Sequence, residues 1–115
     1  MIRNYSQPPL PPRVWDEIVG KMVIGHKMHE FAIAFRCILM QPIYAKDRKG
    51  KQIYELDVSE AMGIIIYGLS GQGYYIYYPE DEEYRRIGSS VRIIGHIFQP
   101  EFKDLYDAVK GELGI

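Results

Sequence analysis

The side chains of this chain best suited to bind a ligand are tyrosines and cations clustered in its central part. Ten of the 115 residues are tyrosine, and the run Tyr74-Tyr75-Ile76-Tyr77-Tyr78 places four of them almost side by side. In a strand this run puts large rings on both faces, and such rings are surfaces on which unpaired nucleic-acid bases stack. Cross-strand packing and a tyrosine-rich protein interface are the alternatives. The candidate stacking residues are Tyr54, Tyr67, Tyr74, Tyr75 and Tyr77, with Tyr78 in the same cluster.

A basic loop precedes these tyrosines. The sequence from Lys46 to Lys51 carries four positive charges and one negative charge, and Gly50 suits the turn of a hairpin. Lysine and arginine side chains in such a loop contact phosphate oxygens, while a solvated hairpin is the alternative. We expect these cations, with two further arginines, to contact a nucleic-acid backbone. The candidate residues are Arg36, Lys46, Arg48, Lys49, Lys51 and Arg92.

Patterns typical of catalysis or metal binding are missing from the sequence. No Ser-His-Asp arrangement or carboxylate pair is recognisable. Gly71-x-Gly73 is not a phosphate-binding loop, because no lysine follows it. His26 and His29 are close together, but the second close-set pair of ligands that a structural zinc site requires is absent. We therefore expect a protein that is not an enzyme and that carries no metal and no cofactor.

Composition and charge predict one globular domain behind a short tail. Apolar residues make up 47% and charged residues 25% of the chain, and the net charge of -1 gives no general attraction to nucleic acid. Four prolines among residues 8–12 predict an extended tail over residues 1–12, followed by a single domain over residues 13–115. Neither a signal peptide nor a membrane-spanning run is recognisable, so we expect an intracellular protein of the cytoplasm, nucleus or nucleoid without membrane contact.

The hydrophobic pattern predicts a mainly β domain with a short helix at each end. Apolar residues at helical spacing between Val14 and Val23 indicate an amphipathic N-terminal helix. Predicted strands cover residues 31–44, 52–58, 63–69, 74–78 and 91–98, and a polar connection covers residues 79–87. A C-terminal helix, with a strand as the alternative, is indicated by four apolar residues that we also expect to contact a partner protein. These are Phe102, Leu105, Tyr106 and Val109.

Two short motifs, at residues 56–63 and 88–95, resemble motifs of a known protein family. Residues 56–63, Leu-Asp-Val-Ser-Glu-Ala-Met-Gly, are similar to its Asp-Asp-x-Thr-Gly turn but lack the second Asp and the Thr. Residues 88–95, Gly-Ser-Ser-Val-Arg-Ile-Ile-Gly, match its Gly-x-x-Val-Arg-Val-x-Gly core. The family is the OB-fold of the small and middle subunits of replication protein A, with related small subunits of telomere-capping and RecQ-helicase complexes. The resemblance implies an OB-like five-stranded barrel, here flanked by short N-terminal and C-terminal helices.

For function, this resemblance implies a non-enzymatic accessory subunit that binds single-stranded nucleic acid and a partner protein in DNA or RNA metabolism. A protein-interaction or assembly module without nucleic-acid binding, including a homo-oligomer, stays open as the first alternative. The second is a small-ligand barrel, because Asp57-x-Ser59 before Gly63 is similar to the Asp-x-Ser-x-x-Gly signature of PilZ domains, which bind cyclic di-guanylate. Here the spacing is one residue longer, and no Arg-x-x-x-Arg clamp for the phosphates precedes it.

Overall fold

Strands are the main secondary structure of the fold. A computed structural model of the chain describes residues 11–17, 20–24, 38–67 and 73–113, which form ten strands in three antiparallel sheets and one α-helix. The strands are β1 (Arg13–Asp16), β2 (Lys21–Ile24), β3 (Ile38–Met40), β4 (Pro42–Lys46), β5 (Gln52–Tyr54), β6 (Asp57–Ser59), β7 (Ile64–Tyr67), β8 (Tyr74–Tyr78), β9 (Glu83–Arg86) and β10 (Ile93–His96). A 3-10 turn at Pro100–Phe102 leads directly into helix α1 (Lys103–Leu113). The predictions of a mainly β protein and of a C-terminal helix are confirmed.

The largest sheet has five strands in the order β10-β6-β7-β8-β9, and its middle strands are buried on both faces. Because side chains alternate along a strand, β7 sends Ile64 and Ile66 to one face and Ile65 to the other. The first face belongs to a helix-side core, made of Met40, Leu56, Val58, Ile64, Ile66, Tyr77, Ile97, Phe102 and Val109. The second belongs to a hairpin-side core, made of Ile53, Ile65, Ile76 and Ile93.

Two smaller sheets cover these faces. Strands β4 and β5 form a hairpin whose Ile53 completes the hairpin-side core. On the other side, helix α1 and the sheet β2-β1-β3 supply Val109 and Met40 to the helix-side core. A continuous apolar run is typical of strands covered on both faces, and β7 has such a run. Large rings on both faces of β8 therefore follow from packing on both sides of the sheet.

A buried ion pair joins β1 to β6. Arg13 Nη2 lies 2.6 Å from Asp57 Oδ1, and the two side chains are 7% and 1% exposed. Arg13 Nη2 also donates to the Glu55 carbonyl at 3.0 Å, while Asp57 Oδ2 accepts the Tyr54 N–H at 2.8 Å. Burial raises the pKa of the Asp57 carboxyl, and the Arg13 charge opposes that shift. Each charge would be buried and unpaired without the other, so this contact fixes β1 against the central sheet.

The predicted N-terminal helix is wrong, because Arg13–Asp16 and Lys21–Ile24 form the hairpin β1–β2; residues 18–19 lie outside the described residues. Gly20 has a φ of 65°, which a right-handed helix does not allow, and its N–H donates to the Asp16 carbonyl at 2.8 Å to close the turn. β1 also pairs with β3, so tertiary pairing outweighs the helical spacing of the apolar residues. Val14 is fully buried in this arrangement.

Two predicted strands and one predicted connection also differ from the structure. Of the strand predicted at residues 31–44, residues 31–37 lie outside the described residues, and the remainder is interrupted at Gln41, whose N–H donates to Glu55 Oε1 at 2.6 Å. The strand predicted at residues 52–58 is broken at Leu56, which has a φ of 65°. The polar connection predicted at residues 79–87 contains β9, which pairs with β8 after a turn in which Glu82 has a φ of 52°.

The predicted OB-like five-stranded barrel is not confirmed. Within the described residues the three sheets stay separate, and the β4–β5 hairpin lies across a face of the central sheet instead of joining its edge. The Pro11 carbonyl accepts a hydrogen bond from the Tyr54 hydroxyl at 3.1 Å, which joins the segment before β1 to β5.

Candidate functional site

The basic loop and two turns of the central sheet enclose a pocket of about 300 Å³. The pocket lies where the β4–β5 loop, the β6–β7 turn and the segment before β10 meet, beside the end of β8. We call it the arginine pocket. Its lining residues are Arg48, Ser59, Glu60, Ala61, Tyr78, Ser90, Val91 and Arg92.

Two arginines converge on one carboxylate at this pocket. Arg48 Nη2 lies 3.0 Å from Glu60 Oε2, and Arg92 Nη1 lies 3.5 Å from the same oxygen. All three side chains are about half exposed, so each ion pair contributes about 0–1 kcal/mol. These two guanidinium groups and one carboxylate together carry a net charge of +1. Guanidinium groups bind phosphate through paired hydrogen bonds, and a phosphate group is therefore a suitable competitor for the position of Glu60.

A buried aspartate holds the basic loop in place. Asp47 Oδ1 accepts the N–H groups of Lys49 and Lys51, and Asp47 Oδ2 accepts the N–H of Ile93, each at 2.9 Å. The Ile93 hydrogen bond, followed by those of Lys51 and Lys49, lowers the pKa of the Asp47 carboxyl against the opposing effect of burial. The loop is thereby tied to β10, and the Arg48 N–H adds a bond to the Val91 carbonyl at 2.8 Å. Arg48 and Arg92 consequently sit on backbone segments that are fixed to each other.

The β6–β7 turn positions Glu60. Ser59 Oγ accepts the Gly63 N–H at 3.0 Å, and the Ser59 carbonyl accepts the Met62 N–H at 2.8 Å. A Cβ at Gly63 would overlap Ile76 and lie 2.8 Å from the Tyr78 ring, so only glycine fits this close approach. The residues that carry the PilZ-like signature thus have structural roles here, with Asp57 in the buried ion pair and Ser59 and Gly63 in the turn.

Two of the predicted stacking tyrosines have buried rings. Tyr54 is 8% exposed, and the Arg13 guanidinium lies 4.8 Å from its ring centre. Tyr77 is 5% exposed in the helix-side core and packs against Tyr84 at 4.7 Å between ring centres. Neither ring presents a face to a base in this structure, because both fill space between strands. The expectation that they form part of a stacking surface is corrected accordingly.

The three other predicted stacking tyrosines are less deeply buried. Tyr67 is 51% exposed, and its ring meets the ring of Tyr74 edge to face at 5.1 Å between centres. By strand alternation this pair lies on the hairpin side of the sheet, the side that also carries the basic loop. Tyr75 is half-buried and lies on the helix side. Tyr67 is therefore the exposed ring of this pair, and Tyr74 is half-buried beside it.

The predicted cations are only partly brought together. Arg48 and Arg92, which are far apart in the sequence, share the arginine pocket. Lys46, Lys49 and Lys51 are exposed on the hairpin beside it. Arg36 lies outside the described residues.

The predicted partner-binding residues belong mainly to the protein's own core. Phe102 is 6% exposed and Val109 is fully buried in the helix-side core, with Leu105 and Tyr106 half-buried against it. The apolar face of α1 is thus covered by its own chain, which corrects the expectation that it is free for a partner. Tyr106 does line a groove of about 280 Å³ in which Trp15 stacks on Phe98 at 5.1 Å between ring centres.

Sequence reasoning missed Asp47 and Glu60. Asp47 could have been recognised from the sequence. An aspartate three residues before a loop glycine is typical of an Asx-type turn, in which the side chain accepts the N–H two residues later, here that of Lys49. Glu60 could not, because its position between two arginines depends on the pairing of β6 with β10.

In the described part of the chain, no group of three or more His, Cys, Asp or Glu side chains is placed to hold a metal ion. Among the same residues, no helix has the length and apolar character needed to cross a membrane. No protein-family model matches the chain, and no curated protein matches it in sequence.

Proposed function

We propose that this chain is a non-enzymatic binding module that takes a phosphate group of single-stranded nucleic acid in the arginine pocket. The observation that carries the proposal is the convergence of Arg48 and Arg92 on the single carboxylate of Glu60. Phosphate oxygens match the paired N–H groups of arginine, and Glu60 occupies the position such a group would take. The resemblance to OB-fold subunits points to the same class of ligand.

Preorganisation supports this role. The three backbone hydrogen bonds to Asp47 hold the loop before a ligand arrives, so binding does not have to order it. The exposed lysines beside the pocket, Lys46, Lys49 and Lys51, add positive charge along the hairpin. Because the net charge of the chain is -1, this local patch has to supply the attraction.

The exposed ring of Tyr67, with the half-buried ring of Tyr74 beside it, favours nucleic acid over a free anion. Tyr74 and Tyr78 stand at opposite ends of β8, which separates the tyrosine pair from the arginine pocket by about 13 Å on one side of the sheet. A strand of a few nucleotides spans that distance. Stacking of a base on an exposed ring contributes about 1–3 kcal/mol, whereas an inorganic phosphate gains nothing there.

The test is fluorescence anisotropy of a labelled single-stranded oligonucleotide at about 50 mM and about 200 mM salt. We expect binding that weakens with salt, and a log-log salt slope smaller by about 0.7 for each of Arg48→Gln and Arg92→Gln. Arg86→Gln is the matched control, because Arg86 is exposed on the other face of the sheet. Glu60→Gln should bind about two- to five-fold more tightly, since it removes the competing carboxylate.

The outcomes separate the alternatives. Absence of binding at low salt, or equal binding by wild type and the Arg48→Gln/Arg92→Gln variant, overturns the proposal. Cyclic di-guanylate, added as a competitor, tests the small-ligand alternative at the same pocket. A thermal shift with this dinucleotide, together with no oligonucleotide binding, would favour that alternative.

A further inference from the structure

Strand β9 is the outer strand of the central sheet and is exposed along its whole length. Glu83, Tyr84, Arg85 and Arg86 are all exposed, and Tyr84 retains 46% of its accessible surface. Within the described residues β9 pairs with β8 on one edge and has no strand neighbour on the other. The backbone N–H and C=O groups on an open edge are a template for a further strand.

Symmetry restricts how two copies of β9 can pair. A two-fold axis perpendicular to the sheet keeps each face continuous, so facing residues of the two copies must lie on the same face. Glu83 and Arg85 lie on the hairpin side, and Tyr84 and Arg86 on the helix side. The axis must therefore pass beside one residue, which then faces its own counterpart.

Charge selects one of these registers. An axis at Glu83 sets two carboxylates opposite each other, and an axis at Arg85 or Arg86 sets two guanidinium groups opposite each other. An axis at Tyr84 sets Glu83 opposite Arg85 of the second copy, twice by symmetry. Charges on an edge strand ordinarily discourage pairing. Among the registers centred on a residue of β9, they discourage every one except that centred on Tyr84.

We infer that two copies of this chain associate through β9, antiparallel and with Tyr84 at the two-fold axis. The central sheets of the two copies then form one continuous sheet. Arg85 and Glu83 already attract each other within one chain at 3.0 Å, and the contact between copies replaces this exposed pair with two pairs across the axis. Arg85 also lies 5.3 Å from the centre of the Tyr78 ring. Tyr84 rests on Tyr77 and presents its other side outward. This association does not involve Arg48, Glu60 or Arg92 and goes beyond the proposed function.

The contact is short, so we expect a weak dimer. Pairing of four-residue strands buries far less surface than a stable interface of about 1,600 Å². We expect a Kd of about 0.1–1 mM, detectable as a rise in weight-average mass with concentration. The measurement is sedimentation equilibrium of the full chain between about 20 µM and about 1 mM.

A charge-swap experiment tests the register. Glu83→Arg alone places Arg opposite Arg, and Arg85→Glu alone places Glu opposite Glu, so each variant should associate at least about ten-fold more weakly than wild type. An equimolar mixture of the two restores both opposite-charge pairs and should dimerise again. Glu101→Arg and Lys21→Glu are matched controls, because both residues are exposed and lie outside the central sheet. Far-UV circular dichroism verifies that each variant is folded.

Each result supports or overturns the inference. Dimerisation of wild type, its loss in both single variants and its recovery in the mixture support the Tyr84-centred contact. A wild-type chain that stays monomeric at about 1 mM overturns it. So does a mixture that remains monomeric, or a single variant that dimerises like wild type.

Discussion

Replacement of Gly95 by alanine is the sharpest test of the way β10 packs. The pairing of β10 with β6 shifts register between Ile93 and Gly95, and Gly95 is buried at this irregularity. A Cβ built there would overlap Gln99 Oε1 and would lie 2.8 Å from Cε2 of Phe102. The first neighbour is a movable side chain, whereas the second is a ring that is only 6% exposed.

Two costs add to the expected effect. Gln99 Oε1 accepts the His96 N–H at 2.7 Å, and moving the amide away loses that hydrogen bond, at about 1 kcal/mol. Pressing a methyl group against the fixed Phe102 ring costs about 1–3 kcal/mol. The sum is about 2–4 kcal/mol of unfolding free energy, which for a chain of 115 residues lowers the Tm by about 8–16 °C.

The assay is thermal unfolding followed by circular dichroism, with Gly88→Ala as the matched control. A Cβ at Gly88 meets nothing within 4 Å, so its effect should stay within about 0.5 kcal/mol of wild type. The double variant Gly95→Ala/Gln99→Ala should cost less than the two single variants added together, because the overlap with Gln99 is gone. Equal melting of Gly95→Ala and wild type would refute the close packing of β10 on Phe102.

Two further predictions concern buried charge. Arg13→Met should lower the unfolding free energy by about 3–5 kcal/mol, because it leaves Asp57 buried and unpaired. Adding Asp57→Asn to this variant should recover part of the lost stability. Chemical denaturation measures both effects. Burial, with the charges of Arg13 and Lys51, lowers the pKa of His96 from 6.5 to about 4. The unfolded chain then binds a proton below pH 6.5 that the folded chain does not, so stability should decline as the pH falls from 6.5 towards 4. His96→Gln should flatten that decline in a pH series of melting curves, and an unchanged slope would contradict it.

Elements with a strong local pattern were predictable from the sequence. The tyrosine strand β8 and helix α1 follow from β-forming residues in one case and helical spacing in the other. The first hairpin was not predictable, because the apolar residues between Val14 and Val23 have helical spacing, and the pairing of β1 with β3 decides between the two structures. β9 was missed because a strand of charged, exposed residues has no hydrophobic alternation.

The candidate site was predictable in residue type but not in geometry. The basic loop and Arg92 stand out by charge, yet nothing local reveals that Arg48 and Arg92 meet at Glu60. For the tyrosines, residue type and position in the sequence do not distinguish buried rings from exposed rings. Tyr54 and Tyr77 have the same residue type and a similar setting in the sequence as Tyr67. Tyr54 is nevertheless buried on β5 against Arg13, and Tyr77 is buried in the helix-side core, whereas Tyr67 is half exposed.

Coverage of the central sheet on both sides limits where this protein can acquire new binding properties. Every position of Ile64-Ile65-Ile66 is constrained by a neighbour, so the usual freedom of a solvent-facing row of residues is absent there. Substitutions should therefore be poorly tolerated at every one of these three positions of β7, whereas a strand with one solvent-facing side tolerates them at every second position. Divergence in specificity among chains of this design would be confined to turns, strand ends and the outermost strand.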